Sequence, residues 1–149
     1  MTMGCEWAGI GPVPDVVEVL EIDSASFAAN EIVTLSGGYA TIGADDGVFG
    51  VALKASTNVT TGNATIPIQV ITPDTIWIMQ ADTTTAVTQV GEDYGINWTT
   101  GSQAVDLGDT TTPQVRIQNL DTRDGATTGA GGRVHVKFCS DVIIGRMGG

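Results

Sequence analysis

Apolar and polar residues alternate in short runs along most of this chain, and the runs are punctuated by Gly, Pro, Asn and Asp. That is the period of half-buried strands, not of helices. Asp15 to Asp23 imitates a helical capping box through Asp15 and Glu18 after Pro14. Val16, Val17, Val19 and Ile22 are β-branched, however, and turn the expectation to a strand. Glu31 to Leu35 and Tyr39 to Ile42 follow as strands about the hairpin turn Ser36-Gly37-Gly38. In Val48 to Lys54, Phe49, Val51 and Leu53 share one face, while Gly50 and Ala52 leave the other bare enough for a backbone or ring to come close. Ile66, Ile68 and Val70 define a further strand, and Pro67, lacking an amide donor, predicts a sheet edge or a bulge.

Thr75 to Gln80 differs because both of its faces are apolar, Ile76 and Ile78 on one and Trp77 and Met79 on the other. Either the strand is central and covered on both sides, or one face is a subunit contact, which makes Trp77 and Met79 candidate interface residues. Later strands are expected at Val87 to Val90, Tyr94 to Trp98, Ala104 to Leu107, Gln114 to Leu120 and Arg133 to Cys139, with a long turn from Asp121 to Gly132. About ten short strands and few helical signals predict an all-β fold, a small antiparallel β-barrel or β-sandwich. Residues 1–13 show no sustained period and read as an extended N-terminal arm with two apolar anchors, Trp7 and Ile10. Residues 14–149 form the β-domain, with a soft break near 72–74 that leaves two small β-subdomains as the alternative.

A chain of 149 residues buries about 70% of its unfolded surface, enough for a core without disulfides. Charge changes the picture more than size does. The first hundred residues hold twelve acids against the single base Lys54, whereas the remainder hold five of each, giving a net charge of −11. Nothing in that balance drives direct binding to a nucleic-acid backbone. An anionic membrane surface is disfavoured likewise, and no apolar run approaches the ~20 residues of a membrane span. The N-terminal MTMGCEWAGIGPVP lacks a basic start and a continuous apolar stretch, so no secretory signal is expected. Folding in a reducing cytoplasm keeps Cys5 and Cys139 as thiols, a bridge between them being the minor alternative. The sequons at Asn58, Asn63 and Asn97 are what a Thr-rich chain produces by chance.

Candidate chemistry is sparse. His135 is the only histidine, which excludes a histidine-based triad or a multi-histidine zinc site within one chain. The thiols have no CxxC spacing. The acidic pairs Asp45-Asp46, Glu92-Asp93, Asp106 with Asp109 and Asp121 with Asp124 sit at predicted turns, where Asp caps backbone amides, and none matches a calcium loop. The glycines of Gly129 to Gly132 precede a strand, so they lack the helix N-terminus of a phosphate cradle. The expectation is a protein that is not an enzyme and takes no cofactor or metal. More informative is a cationic stripe: Arg116 alternates with Val115 and Ile117, and Arg133, His135 and Lys137 alternate with Val134, Val136 and Phe138. Arg116, Arg133 and Lys137 are candidates to face acidic surface on a neighbouring copy or another protein. The alternative is that they only lower self-repulsion.

The run AANEIVTLSGGYATIGADDGVFGVALKAS, with its Gly turn and "GVA" strand, and IPIQVITPDTIWIMQAD, with its "TPDT" turn, resemble the small decoration, or cement, proteins that stud tailed-phage capsids. The likeness covers residues 24–82 best. YGINWTTGSQAVDLGDTTTPQVRIQNLD and GRVHVKF are similar to the closing strands of such proteins, whereas MTMGCEWAGIG departs from the pattern. The resemblance implies a structural protein made in the host cytoplasm that adds to the outer surface of an expanded capsid, with the major capsid protein as partner. It also implies homo-oligomers, trimers above all, at local threefold positions that bridge neighbouring subunits. The alternative is a glycan-binding or host-attachment module of a virion, in which Trp77, Tyr94 and Trp98 would supply stacking rings.

Overall fold

The structure, a computed structural model, describes residues 4–22, 26–44, 47–57, 64–99, 103–121 and 132–144. The Asp45-Asp46 pair, the Asn58 and Asn63 sequons and residues 122–131, including Asp124 and the Gly129 to Gly131 run, lie outside them. Strands β1 (Cys5–Trp7), β2 (Val16–Leu20), β3 (Ile32–Ser36), β4 (Tyr39–Ile42), β5 (Gly50–Ala52) and β6 (Thr65–Val70) come first in the chain. After them follow β7 (Trp77–Gln80), β8 (Asp93–Asn97), β9 (Ala104–Asp106), β10 (Val115–Leu120) and β11 (Arg133–Phe138). The fold is all-β, two antiparallel sheets with no α-helix among the described residues.

One sheet has six strands in the order β1-β7-β11-β10-β8-β9, and the other has five in the order β2-β6-β5-β3-β4. The chain changes sheet between β1 and β2 and returns between β6 and β7, the return falling around residues 72–74. Both sheets curl. In the five-stranded sheet the edges meet where Ile22 N–H donates to Ala40 C=O at 3.1 Å, and in the six-stranded sheet Asp82 N–H reaches Val105 C=O at 3.0 Å.

Strand alternation explains how the sheets pack. Ile32 and Val51, paired across β3 and β5, join a large apolar cluster with Trp77, Ile117 and Val136 of the other sheet. Their chain neighbours Val33 and Ala52 point the opposite way, into a second cluster with Phe27, Ile66 and Ile68 inside the curl of the five-stranded sheet. Both faces of β3 and β5 are therefore covered, and the two sheets share one core. The bare face expected at Gly50 is used for close approach: a Cβ there would meet the main-chain oxygen of Gln69 and the Ile68 side chain.

Three expectations are corrected. Pro67 lies in β6, which is paired on both sides and is not an edge. It is tolerated because its C=O accepts Leu53 N–H at 2.9 Å, so the missing donor faces the same side, just past the end of β5. Val87 to Val90 is a 3₁₀ turn, Val87–Gln89, not a strand; Ala86 N–H donates to Gln89 Oε1 at 2.7 Å, and Val87 is 74% exposed. Trp77 and Met79 have no accessible surface, so β7 is the covered central strand of the two readings, and neither residue is a subunit contact. Within residues 1–13, β1 pairs with β7, setting Trp7 opposite Trp77, and Ala8 N–H donates to Ile76 C=O. Ile10 lies beyond that pairing and is 50% exposed.

Candidate interaction surface

The outward face of the six-stranded sheet carries the stripe read from the sequence. Val115 and Ile117 turn inward from β10, and Val134, Val136 and Phe138 turn inward from β11. The intervening Arg116, Arg133, His135 and Lys137 therefore turn outward. Register brings two of them together: Arg116 lies opposite Lys137 on one side and opposite Asp93 of β8 on the other. Arg133 pairs with Gln80, further along the same face, so the structure joins Arg116 with Lys137 and leaves Arg133 apart.

Arg116 finds its acid within its own chain. Its Nε donates to Asp93 Oδ1 at 2.7 Å and its Nη2 to Asp93 Oδ2 at 3.1 Å. This bidentate geometry fixes the fork of the guanidinium. The same carboxylate holds the Arg116 pKa above its ordinary value. Asp93, read from the sequence as a turn acid, is the residue that sequence reasoning missed. Alternation back from Tyr94, whose side chain is turned inward, is the signal that places Asp93 on the outer face. Lys137 makes no ion pair among the described residues.

Around this row opens a groove of about 630 Å³, lined by Pro73, Asp93, Arg116, Lys137, Cys139 and Asp141 among others. A smaller hollow of about 330 Å³ shares Asp93, Pro113 and Arg116 and adds Glu92 and Thr110. Two bases meet two acids along the large groove, so it is a charged but balanced surface, not a strongly cationic one. Burial first, and then the Asp93 and Asp141 carboxylates, push the Cys139 thiol up, which keeps it protonated and weakly nucleophilic. Cys5 is enclosed and pushed further up by burial. Both cysteines are free thiols.

The remaining candidates are structural in their surroundings. Asp109 accepts the Thr111 and Thr112 amides at 3.0 Å each and bonds the Thr112 hydroxyl, the capping role expected of a turn acid. Those bonds hold its pKa below the usual carboxylate value. Trp77 Nε1 donates to Thr75 Oγ1 at 2.8 Å. Tyr94 is buried, and the Trp98 ring lies over Gly43, where a Cβ would come within 2.6 Å of it. Of the three aromatics considered for sugar stacking, Trp77 and Tyr94 are buried and Trp98 is half-buried. Trp7 packs against the large cluster, and its Nε1 and His135 Nε2 are buried atoms without a hydrogen-bond partner among the described residues. Comparison with family models, with curated proteins and with solved structures found no match.

Proposed function

We propose that this chain is a structural virion protein that binds the outer surface of an assembled phage capsid and stabilises it by bridging neighbouring capsid subunits. The observation that carries the reading is the open, charge-balanced groove along Asp93, Arg116 and Lys137, set on a sheet face. An open surface of balanced charges suits the rim of a protein contact, in contrast to the enclosed apolar cavity typical of a small-molecule site. The decoration-protein resemblance of residues 24–82 gives the partner, the major capsid protein. Copies associate as trimers, with Lys137 and Arg133 of one copy near the acidic surface contributed by the first hundred residues of the next. Binding the assembled shell more tightly than its dissociated subunits raises capsid stability by linkage, and several clamps per junction must open together.

Co-sedimentation with expanded, undecorated tailed-phage capsids tests the proposal. The expected result is saturable pelleting and a shell that withstands heating longer; failure to pellet at any ionic strength overturns it. Replacing Arg116, Arg133 and Lys137 together with Gln should slow association most at low salt, because rim charges act through steering that salt screens.

A further inference from the structure

Among the described residues six large apolar side chains are exposed, and four of them, Ile10, Val13, Val16 and Leu20, fall in one short stretch. Two of these, Val16 at 55% and Leu20 at 39% exposure, flank Glu18 on the outward face of β2. This strand is hydrogen-bonded on one side to β6 and forms the edge of the five-stranded sheet. The parity of the ladder is fixed at both ends: Val70 N–H donates to Asp15 C=O at 2.8 Å, and Glu21 N–H donates to Ala64 C=O at 3.0 Å. Odd-numbered residues thus turn their main-chain groups toward β6, and Val16 and Glu18 turn theirs toward the open edge. The opening ends at Leu20, where β4 comes alongside: Glu21 bridges Ala40 in parallel, and Ile22 N–H meets Ala40 C=O. Donors and acceptors left unpaired among the described residues, beside exposed apolar side chains, make a template for one more strand.

We propose that the free edge of β2 takes up an extended segment of a partner protein by strand addition, and that this segment carries a Lys or Arg two positions from an apolar residue. The base sits across from Glu18 and the apolar side chain across from Val16, since directly opposed cross-strand residues are the ones that interact. Charge selects this occupant. A second copy of the chain fits poorly, because pairing two β2 edges in antiparallel register sets Glu18 opposite its counterpart or diagonal to it. Each copy also brings a net charge of −11, and like charges across a ladder are destabilising. The proposal stands apart from the virion reading and holds for any partner of this chemistry.

The test uses the isotope-labelled full chain and two short peptides in which Val and Thr alternate, one with Lys in place of the central Val and one with Glu. The expected result is slower amide exchange at Val16 and Glu18 with the Lys peptide, which binds about fivefold more tightly than the Glu peptide. Glu18→Lys, on an exposed side chain that leaves the β2 and β6 ladder intact, should reverse that order. Equal affinity for both peptides, or no added protection at either amide at saturating peptide, overturns the proposal. Protection of both amides in the protein alone, together with a dimer mass, also overturns it and gives the edge to a second copy.

Discussion

Gln103 holds both main-chain groups of Ile32: its Oε1 accepts the Ile32 N–H at 2.6 Å, and its Nε2 donates to the Ile32 C=O at 3.1 Å. Gln103 precedes β9 in one sheet, Ile32 opens β3 in the other, and both are enclosed. A side-chain amide therefore acts as one rung of a strand at the seam between sheets. Ile32 C=O keeps a second donor, Gly43 N–H at 3.0 Å, so loss of Gln103 orphans the N–H above all. Gln103→Leu should lower unfolding free energy by about 1–3 kcal/mol, the cost of a buried donor left unsatisfied. Urea unfolding of the two proteins measures it, and an unchanged midpoint would show that the bond adds nothing net.

Gly50→Ala should destabilise by a comparable amount, for a steric reason. The added methyl meets the main chain of Gln69 on the paired strand, and that oxygen cannot retreat without disturbing the ladder between β5 and β6. Overpacking of this kind costs about 1–3 kcal/mol. Gly37, with φ of +58° and open space where a Cβ would stand, is the control: Gly37→Asn should shift the thermal midpoint far less, since Asn tolerates that conformation.

The two thiols should separate kinetically. Cys139 is half-buried and Cys5 enclosed, so a thiol reagent should label Cys139 in the native protein and reach Cys5 only on unfolding. Burial raises both pKa values above the ordinary 9.0, so the folded state retains protons that the unfolded state releases. Stability from this source is full below pH 9 and declines as pH rises beyond it. Cys5→Ala should soften that alkaline decline in a pH series of urea midpoints.

Removal of residues 1–7 should lower the melting temperature, because it deletes β1 and uncovers the part of the core that Cys5 and Trp7 reach. Loss of a buried side chain and its cavity costs about 2–5 kcal/mol. A truncated chain that melts with the full-length one would mean that β1 contributes no net packing.

How much of this was legible depends on whether the signal was local. The β3 and β4 hairpin was, because Gly37 and Gly38 both take positive φ in the position where a tight turn demands it. The strands at 94–98, 104–107, 114–120 and 133–139 were legible within a residue or two from their alternation. Val87 to Val90 was misread because Val and Thr favour strands only when a neighbour offers a ladder, and Gln89 folded back on Ala86 instead. Pro67 was misplaced because propensity reports a missing donor but not the side on which it falls. The pairing of Arg116 with Asp93 and the grip of Gln103 on Ile32 span 23 and 71 residues, distances over which no sequence period carries information. β1 is three residues long, too short for alternation to register.

The placement of β7 between β1 and β11 has a mechanical consequence. Both neighbours run antiparallel to β7, so the first and last strands of the chain point the same way along it. Cys5 and Val134 both stand opposite Met79, and Trp7 and Val136 both stand opposite Trp77. A pull on the leading end of β1 and the trailing end of β11 therefore loads the two ladders lengthwise. The hydrogen bonds must then yield together, where an unzipping geometry would break them one at a time. Tension between the leading end of β1 and the trailing end of β11 meets its resistance at a strand whose Trp77 and Met79 have no accessible surface.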